Sequence, residues 1–149
     1  MNVLVFDRQN DLAIDTKSVE PVVEQVLALE KVTSDEVSVY FVSTEEICRL
    51  HEKFFDDPSP TDCISFPMDL KEDKGDHHIL GEVFVCPRTA LDYVGGSEGE
   101  VYHETTLYLV HGLLHLMGYD DVDNVEEMRA AEKSHLKNLI QSGCLLTNS

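Results

Sequence analysis

The sequence has few basic residues, and this scarcity restricts the partners that it can bind. Its 11 lysines and arginines stand against 29 aspartates and glutamates, which gives a formal net charge of −18. The electric field of this negative charge favours basic protein partners and repels nucleic acid. Affinity for nucleic acid depends mainly on cations that neutralise its phosphates. An RNA substrate would therefore need a local basic patch or a metal ion.

Long apolar runs and clustered cysteines are also lacking. Apolar runs are interrupted within a few residues, and the start MNVLVFDRQNDLAID contains neither a basic segment nor a continuous apolar one. We therefore expect a cytosolic protein without a membrane span or a secretory signal peptide. The four cysteines lie far apart without a C-x-x-C pair, which favours reduced thiols over a disulfide framework.

The length and the residue patterns predict one domain over residues 1–149. β-branched and aromatic runs predict four strands, at residues 3–6, 37–42, 63–66 and 79–85. Helical spacing of apolar residues and capping patterns predict five helices, at residues 18–30, 44–54, 88–93, 101–117 and 124–140. The acidic segment 97–100 is expected to be a loop.

His111 and His115 are the strongest candidates for metal ligands. They lie four residues apart on a predicted helix, so both imidazoles project from one face about one turn apart. Gly118 can turn the chain back, so that Asp121 could be the third ligand. Asp120 competes for that role, or instead caps the next helix or orients a ligand. Two histidines with this spacing can also lie in a protein core or groove without a metal ion. The following glycine and the acidic residues favour a metal site.

The pattern H-x-x-x-H-x-x-G-x-x-D has the ligand spacing of the extended zinc motif of metzincin proteases. Those enzymes place a glutamate directly after the first histidine as general base, whereas Gly112 stands there in this sequence. Gly112 therefore argues against a conventional zinc protease. Two imidazoles and a carboxylate leave a position for water on a tetrahedral zinc ion, as in catalytic sites. Zinc is the first choice. Nickel, manganese and iron accept similar ligands, so they are alternatives.

Three segments resemble the YbeY family, bacterial rRNA maturation factors described as single-strand-specific endoribonucleases. HGLLHLMGYDD at 111–121 closely resembles that family's H-G-x-L-H-L-x-G-Y-D-H signature. PTDCISFP at 60–67 resembles its P-T-D-V-L-S-F-P, and LGEVFVCP at 80–87 resembles its L-G-D-I-x-I. Glu126-Glu127-Met128 continues the similarity in the last helix, so the resemblance covers nearly the whole chain.

The resemblance implies a small α+β domain, with a mixed four-stranded sheet packed by about five helices and a metal site at the end of a long helix. It implies metal-dependent cleavage of RNA in ribosomal RNA maturation, including the 3′ end of the small-subunit RNA, and in ribosome quality control. The implied cofactor is one divalent ion, with zinc first. The implied partners are ribosomal RNA and a basic ribosomal protein or a ribosome-assembly GTPase.

Two departures from the family pattern concern the site. The family's usual third metal ligand is a histidine, which falls at Asp121, so the ligand type changes while the spacing is kept. The family's arginine and lysine before the P-T-D segment fall at Phe55 and Asp57. A lysine elsewhere would not reproduce the bidentate guanidinium. The candidates that remain for binding substrate phosphate are Arg49, Lys53 and Arg88.

Asp62 and Glu82 are the carboxylates of the two other matched segments, and we predict that they act with His111 and His115 in catalysis. Either carboxylate could orient a water molecule or a ligand histidine. The alternatives are a turn or cap residue for Asp62 and an exposed strand residue for Glu82. Ser65 is expected to form structural hydrogen bonds and not to act as a nucleophile.

Three functions remain open at the level of sequence. The matched motifs and the metal pattern favour a metal-dependent endoribonuclease. The net charge of −18 and the missing arginine favour an acidic ribosome-assembly or protein-binding factor whose metal site is structural or weakly active. A hydrolase of another substrate is the third, because fold and metal do not define the substrate. Cations beside the cleft would favour RNA.

Overall fold

The computed structural model describes residues 1–70, 72–73, 75–95, 97–120 and 122–149. Within these residues one mixed sheet has the strand order β1-β2-β4-β3. β1 and β4 are each parallel to β2, and β3 is antiparallel to β4. The edges of the sheet are therefore β1 and β3. The strands are β1 Asn2–Arg8, β2 Glu36–Val42, β3 Cys63–Pro67 and β4 Ile79–Val85.

Five α-helices surround the sheet in the described part of the chain, and a short 3-10 turn, Thr16–Ser18, precedes the first. This is the α+β fold that the sequence predicts. The helices are α1 Val19–Glu30, α2 Thr44–Phe55, α3 Pro87–Val94, α4 Glu98–Leu116 and α5 Val125–Ser142. All nine predicted elements are present, with ends that shift by a few residues.

Most of the core lies between one face of the sheet and helices α1, α4 and α5. α4 is central to it, and its second half is buried through Leu109, Leu113 and Leu114. On the opposite face α2 covers a smaller cluster that includes Ile47 and Phe84. Because α2 packs beside β3, its C-terminal end lies at the same edge of the sheet as that strand.

Gly112 allows α4 to lie directly on the sheet. A Cβ atom built at this position would stand 2.4 Å from Val83 Cγ1 and 3.1 Å from Ser65 Oγ, so a side chain there would overlap the strands. Ser65 Oγ donates a hydrogen bond to the carbonyl oxygen of Gly112 at 3.0 Å. The structural role predicted for Ser65 is confirmed. The glycine that replaces the protease glutamate thus serves close packing of α4 against β3 and β4.

The prediction of a loop over residues 97–100 was wrong, because α4 already begins at Glu98. Acidic residues are favourable in the first turn of a helix, where they face the positive end of the helix dipole. The acidic segment therefore indicated a helix start and not a loop. At the other end of α4, Gly118 adopts φ +104°, and the chain turns there as predicted.

Two chain-wide expectations can also be compared with the structure. Cys48, Cys63, Cys86 and Cys144 are thiols, as their spacing predicts. Among the described residues, no helix combines the length and the apolar character needed to cross a bilayer.

Candidate metal centre and adjoining cavity

His111 and His115 converge on one face of α4. Their ring centroids lie 4.5 Å apart with planes at 80°. The two Nε2 atoms are 3.0 Å apart. Helical spacing thus brings the two imidazoles together at one point, as the sequence predicts.

The other nitrogen of each ring faces a hydrogen-bond acceptor. His111 Nδ1 lies 2.5 Å from Glu132 Oε1 on α5. His115 Nδ1 lies 3.0 Å from the carbonyl oxygen of Tyr119. Since an ionised carboxylate and a carbonyl can only accept, each Nδ1 carries a proton and donates it. In the neutral rings, both Nε2 atoms then present lone pairs toward each other.

This arrangement fits a divalent metal ion. Two lone pairs 3.0 Å apart repel each other unless a cation, either a proton or a metal ion, lies between them. Nitrogen ligands about 2.0 Å from a tetrahedral zinc ion stand about 3.3 Å apart, close to the observed separation. Among the described residues no third histidine, cysteine or carboxylate completes a metal-binding cluster. Asp121, the predicted third ligand, lies outside the described residues.

Asp120 caps the turn between α4 and α5. Its Oδ1 accepts hydrogen bonds from the backbone amides of Val122 at 2.8 Å and Asp123 at 2.5 Å. These bonds, the one from Asp123 first, hold the pKa of the Asp120 carboxyl below its usual value. Asp120 therefore stabilises the turn before α5, whereas the residue at the N-cap of that helix is Asn124.

Tyr119 is held in turn by α1 and α5. Its hydroxyl donates to Glu30 Oε1 at 2.9 Å, and His135 Nε2 lies 2.6 Å from Glu30 Oε2. Burial, and next the hydrogen bond to Glu30, raise the pKa of Tyr119, so the hydroxyl keeps its proton at neutral pH. The carbonyl that orients His115 is thereby fixed to two other helices.

A cavity of about 350 Å³ opens beside the histidine pair, between α2, β3 and α4. A second depression lies on the α5 side of His111, and Asp62 and His111 line both. The described lining of the cavity is His51, Phe55, Thr61, Asp62, Cys63, Ile64, Ser65, Pro67, His111 and His115. The described lining of the depression is Asp62, His111, Val125, Met128, Arg129 and Glu132.

The family model described as Endoribonuclease YbeY matches residues 4–140 of this chain. The chain belongs to the YbeY family. A relative named Endoribonuclease YbeY from Protochlamydia amoebophila is 49% identical over 138 residues, which cover 89% of this chain and 91% of the relative. One of the same name from Chlamydia muridarum is 41% identical over 147 residues, or 97% and 91% of the two chains.

A solved structure supports the YbeY-family fold. The solution structure of a Thermotoga maritima protein matches with a TM-score of 0.60 and covers 95% of this chain and 91% of its own. At 23% sequence identity, this likeness establishes the fold alone.

Of the two carboxylates predicted to act in catalysis, the structure brings one to the histidine pair of this YbeY-family chain. Asp62 lines both recesses beside His111, and its Oδ1 accepts from the amide of Cys63 at 2.7 Å. It therefore orders the start of β3 and also presents a carboxylate to the cavity. Glu82 lies on the opposite face of the sheet, where it accepts from the Tyr40 hydroxyl at 3.0 Å. Alternation along β4 places it there, away from α4.

The three predicted phosphate-binding cations do not line either recess. Arg49 is exposed and pairs with Glu45 at 3.0 Å. Arg88 pairs with Asp92 at 3.0 Å. The Lys53 ammonium lies 5.2 Å from the centroid of the Phe54 ring. Phe55, at the position of the family arginine, lines the cavity itself.

Sequence reasoning missed three residues that the structure places at the site. Glu132 orients His111 from α5. His51 and Arg129 line the cavity and the depression, respectively. Each lies on a helix other than α4, so helical spacing within residues 111–121 carried no signal for it. For Glu132, the nearby match at Glu126-Glu127-Met128 pointed to the right helix.

Proposed function

We propose that this protein is a metal-dependent endoribonuclease that cleaves single-stranded RNA during maturation of ribosomal RNA in the cytoplasm. One observation carries the proposal: His111 and His115 turn their Nε2 atoms toward each other, 3.0 Å apart, beside a cavity. Membership of a family whose relatives are named Endoribonuclease YbeY supports RNA as the substrate. The part in small-subunit 3′-end maturation and ribosome quality control is extended from the family resemblance.

His111 and His115 would hold one divalent ion through their Nε2 atoms, and Asp121 would be the third ligand. Zinc is the first choice, and nickel, manganese or iron are alternatives of similar ligand preference. When bound there, the ion would polarise a phosphoryl oxygen and lower the pKa of a bound water to near neutrality.

The residues of the chain then divide the remaining work. Glu132 keeps the His111 ring in the tautomer that exposes Nε2, and the Tyr119 carbonyl does the same for His115. Asp62 would accept a proton from an attacking water, a role supported by its position beside His111 in both recesses. Cavity walls from α2 and β3 would hold the nucleotide next to these groups.

The test is cleavage of a single-stranded ribosomal RNA fragment by zinc-loaded protein, with the same sequence in a duplex as the competing substrate. We expect cleavage of the single strand, and a loss of at least about 100-fold in His115→Ala. Equal cleavage by the wild type and His115→Ala would point to a contaminating nuclease. In that case the proposed activity would be rejected.

A second candidate function is an acidic ribosome-assembly or protein-binding factor. The net charge of −18 favours a basic protein partner, and Arg49 and Arg88 are already paired with carboxylates. A basic ribosomal protein or a ribosome-assembly GTPase would be such a partner. This candidate predicts salt-sensitive binding of a basic ribosomal protein that is unchanged in His115→Ala, together with no cleavage of RNA.

A further inference from the structure

The cavity and the depression adjoin each other at His111. Both are lined by Asp62 and His111, so these two residues lie at the boundary that the recesses share. A ligand that extends from one recess into the other therefore passes beside both residues. A single polynucleotide strand has this extended form, and its phosphates require cationic or hydrogen-bonding partners on each side.

One such partner is His51, on the α2 wall of the cavity. Its Nδ1 lies 2.7 Å from the carbonyl oxygen of Ser59, which can only accept, so Nδ1 carries the proton. Nε2 is the atom left for a second proton, which it can then donate to a phosphate oxygen, and it lies 3.9 Å from Asp57 Oδ2. Among the described residues His51 does not complete a metal-binding cluster with His111 and His115. Its position thus suits contact with substrate and not with the ion.

The other partner is Arg129, on the α5 wall of the depression. It is exposed, and it shares the depression with His111, Asp62 and Glu132. A guanidinium is a planar cation whose N–H groups match the geometry of phosphate. Among the described residues lining the two recesses, His51 and Arg129 are the basic side chains besides the histidine pair.

We propose that single-stranded RNA lies across His111, with one phosphate beside His51 Nε2 and a second beside the Arg129 guanidinium. This track rests on the proposed endoribonuclease function and deepens it. It assigns phosphate binding to two residues that replace the family's arginine and lysine, whose positions are occupied by Phe55 and Asp57. The two contacts lie on either side of the histidine pair, so the scissile phosphodiester would be held from both directions.

Binding can be measured apart from cleavage by fluorescence anisotropy of a labelled single-stranded oligoribonucleotide, with metal-stripped protein in chelator. The integrity of the RNA is checked on a gel. We expect Arg129→Ala to weaken binding about tenfold and to reduce the slope of log affinity against log salt by about 0.7, the value for one phosphate of a single strand. Lys137→Ala removes an exposed charge on the same helix. It should change the affinity and the salt slope less than Arg129→Ala does.

His51 can be tested with two variants that each place an amide group where one of its ring nitrogens stands. An asparagine amide at position 51 can replace Nδ1 toward Ser59 but not Nε2, whereas a glutamine amide can reach the place of Nε2. We therefore expect His51→Asn to keep the thermal stability of the wild type and to bind RNA about tenfold more weakly. His51→Gln should recover part of the lost affinity although it loses the bond to Ser59.

Cleavage by zinc-loaded protein shows whether the RNA track or the proposed function is wrong. If the wild type cleaves single-stranded RNA while His51→Asn and Arg129→Ala retain wild-type affinity and KM, the track is wrong and the nuclease function stands. An unchanged salt slope in Arg129→Ala, or binding by His51→Gln as weak as by His51→Asn, would also overturn the corresponding contact. If the wild type neither binds nor cleaves RNA, both proposals are rejected.

Discussion

Glu132 Oε1 lies 2.5 Å from His111 Nδ1 and joins α5 to the candidate metal ligand on α4. A carboxylate in this position fixes the tautomer and the ring orientation of a ligand histidine and makes it a stronger base. The histidine pair is therefore a preorganised unit, because Tyr119 holds the second ring in the same way.

Replacing Glu132 by glutamine should weaken metal binding while leaving the fold intact. The neutral amide keeps the shape of the side chain but is a poorer acceptor for the His111 proton, and it can also donate. We expect the zinc affinity of Glu132→Gln to fall about 10–100-fold in competition with a chromophoric chelator. Glu127→Gln makes the same change at an exposed position of α5 and should have little effect. Equal affinities in the two variants would show that Glu132 does not support the metal site.

Adding a methyl group to Gly112 should destabilise the protein. The new Cβ would stand 2.4 Å from Cγ1 of Val83, a fully buried side chain, so the helix or the strand would have to shift. We expect Gly112→Ala to lower the free energy of unfolding in urea by about 1–3 kcal/mol. Gly99, near the start of the same helix, has nothing within 4 Å of an added Cβ. Gly99→Ala should be neutral or stabilising by up to about 1 kcal/mol; if both variants behaved alike, close packing would not explain Gly112.

The Tyr119 hydroxyl should make stability depend on pH in the alkaline range. Its pKa is raised by burial and then by Glu30, so its contribution is fully present below about pH 10, the unfolded value, and is lost as pH rises through the folded pKa. Tyr119→Phe should lower the free energy of unfolding by about 1 kcal/mol at neutral pH. The loss should be smaller near pH 10.5 in the same urea experiment, since the wild type has then lost part of this contribution. A difference that grows with pH would contradict this account.

The sequence predicted most of the fold because strands, helices and caps are encoded locally. Ser43, for example, accepts a hydrogen bond from the Glu46 amide at the start of α2, as the capping pattern indicates. The strand order and the antiparallel direction of β3 depend on how elements far apart in sequence pack, and no local pattern states them. The beginning of α4 was missed because an acidic segment with a glycine was interpreted as a loop.

The residues of the site could also be predicted only where local spacing relates them. His111 and His115 are related by helical spacing alone, so their convergence follows from the sequence. Glu132 reaches them through the packing of α5 on α4, which the spacing of the motif does not contain. Arg49 and Arg88 are a separate case. Each pairs with a carboxylate one helical turn away, and neither lines either recess.

The most direct test of the account is the initial rate of single-stranded RNA cleavage while metal-stripped protein is titrated with zinc. We expect a negligible rate at the start, and a linear rise that levels off at about one zinc ion per chain. His115→Ala should stay at the starting rate throughout. Full activity of the stripped protein, or a titration curve of His115→Ala that matches the wild type, would contradict a metal-dependent endoribonuclease built on the histidine pair.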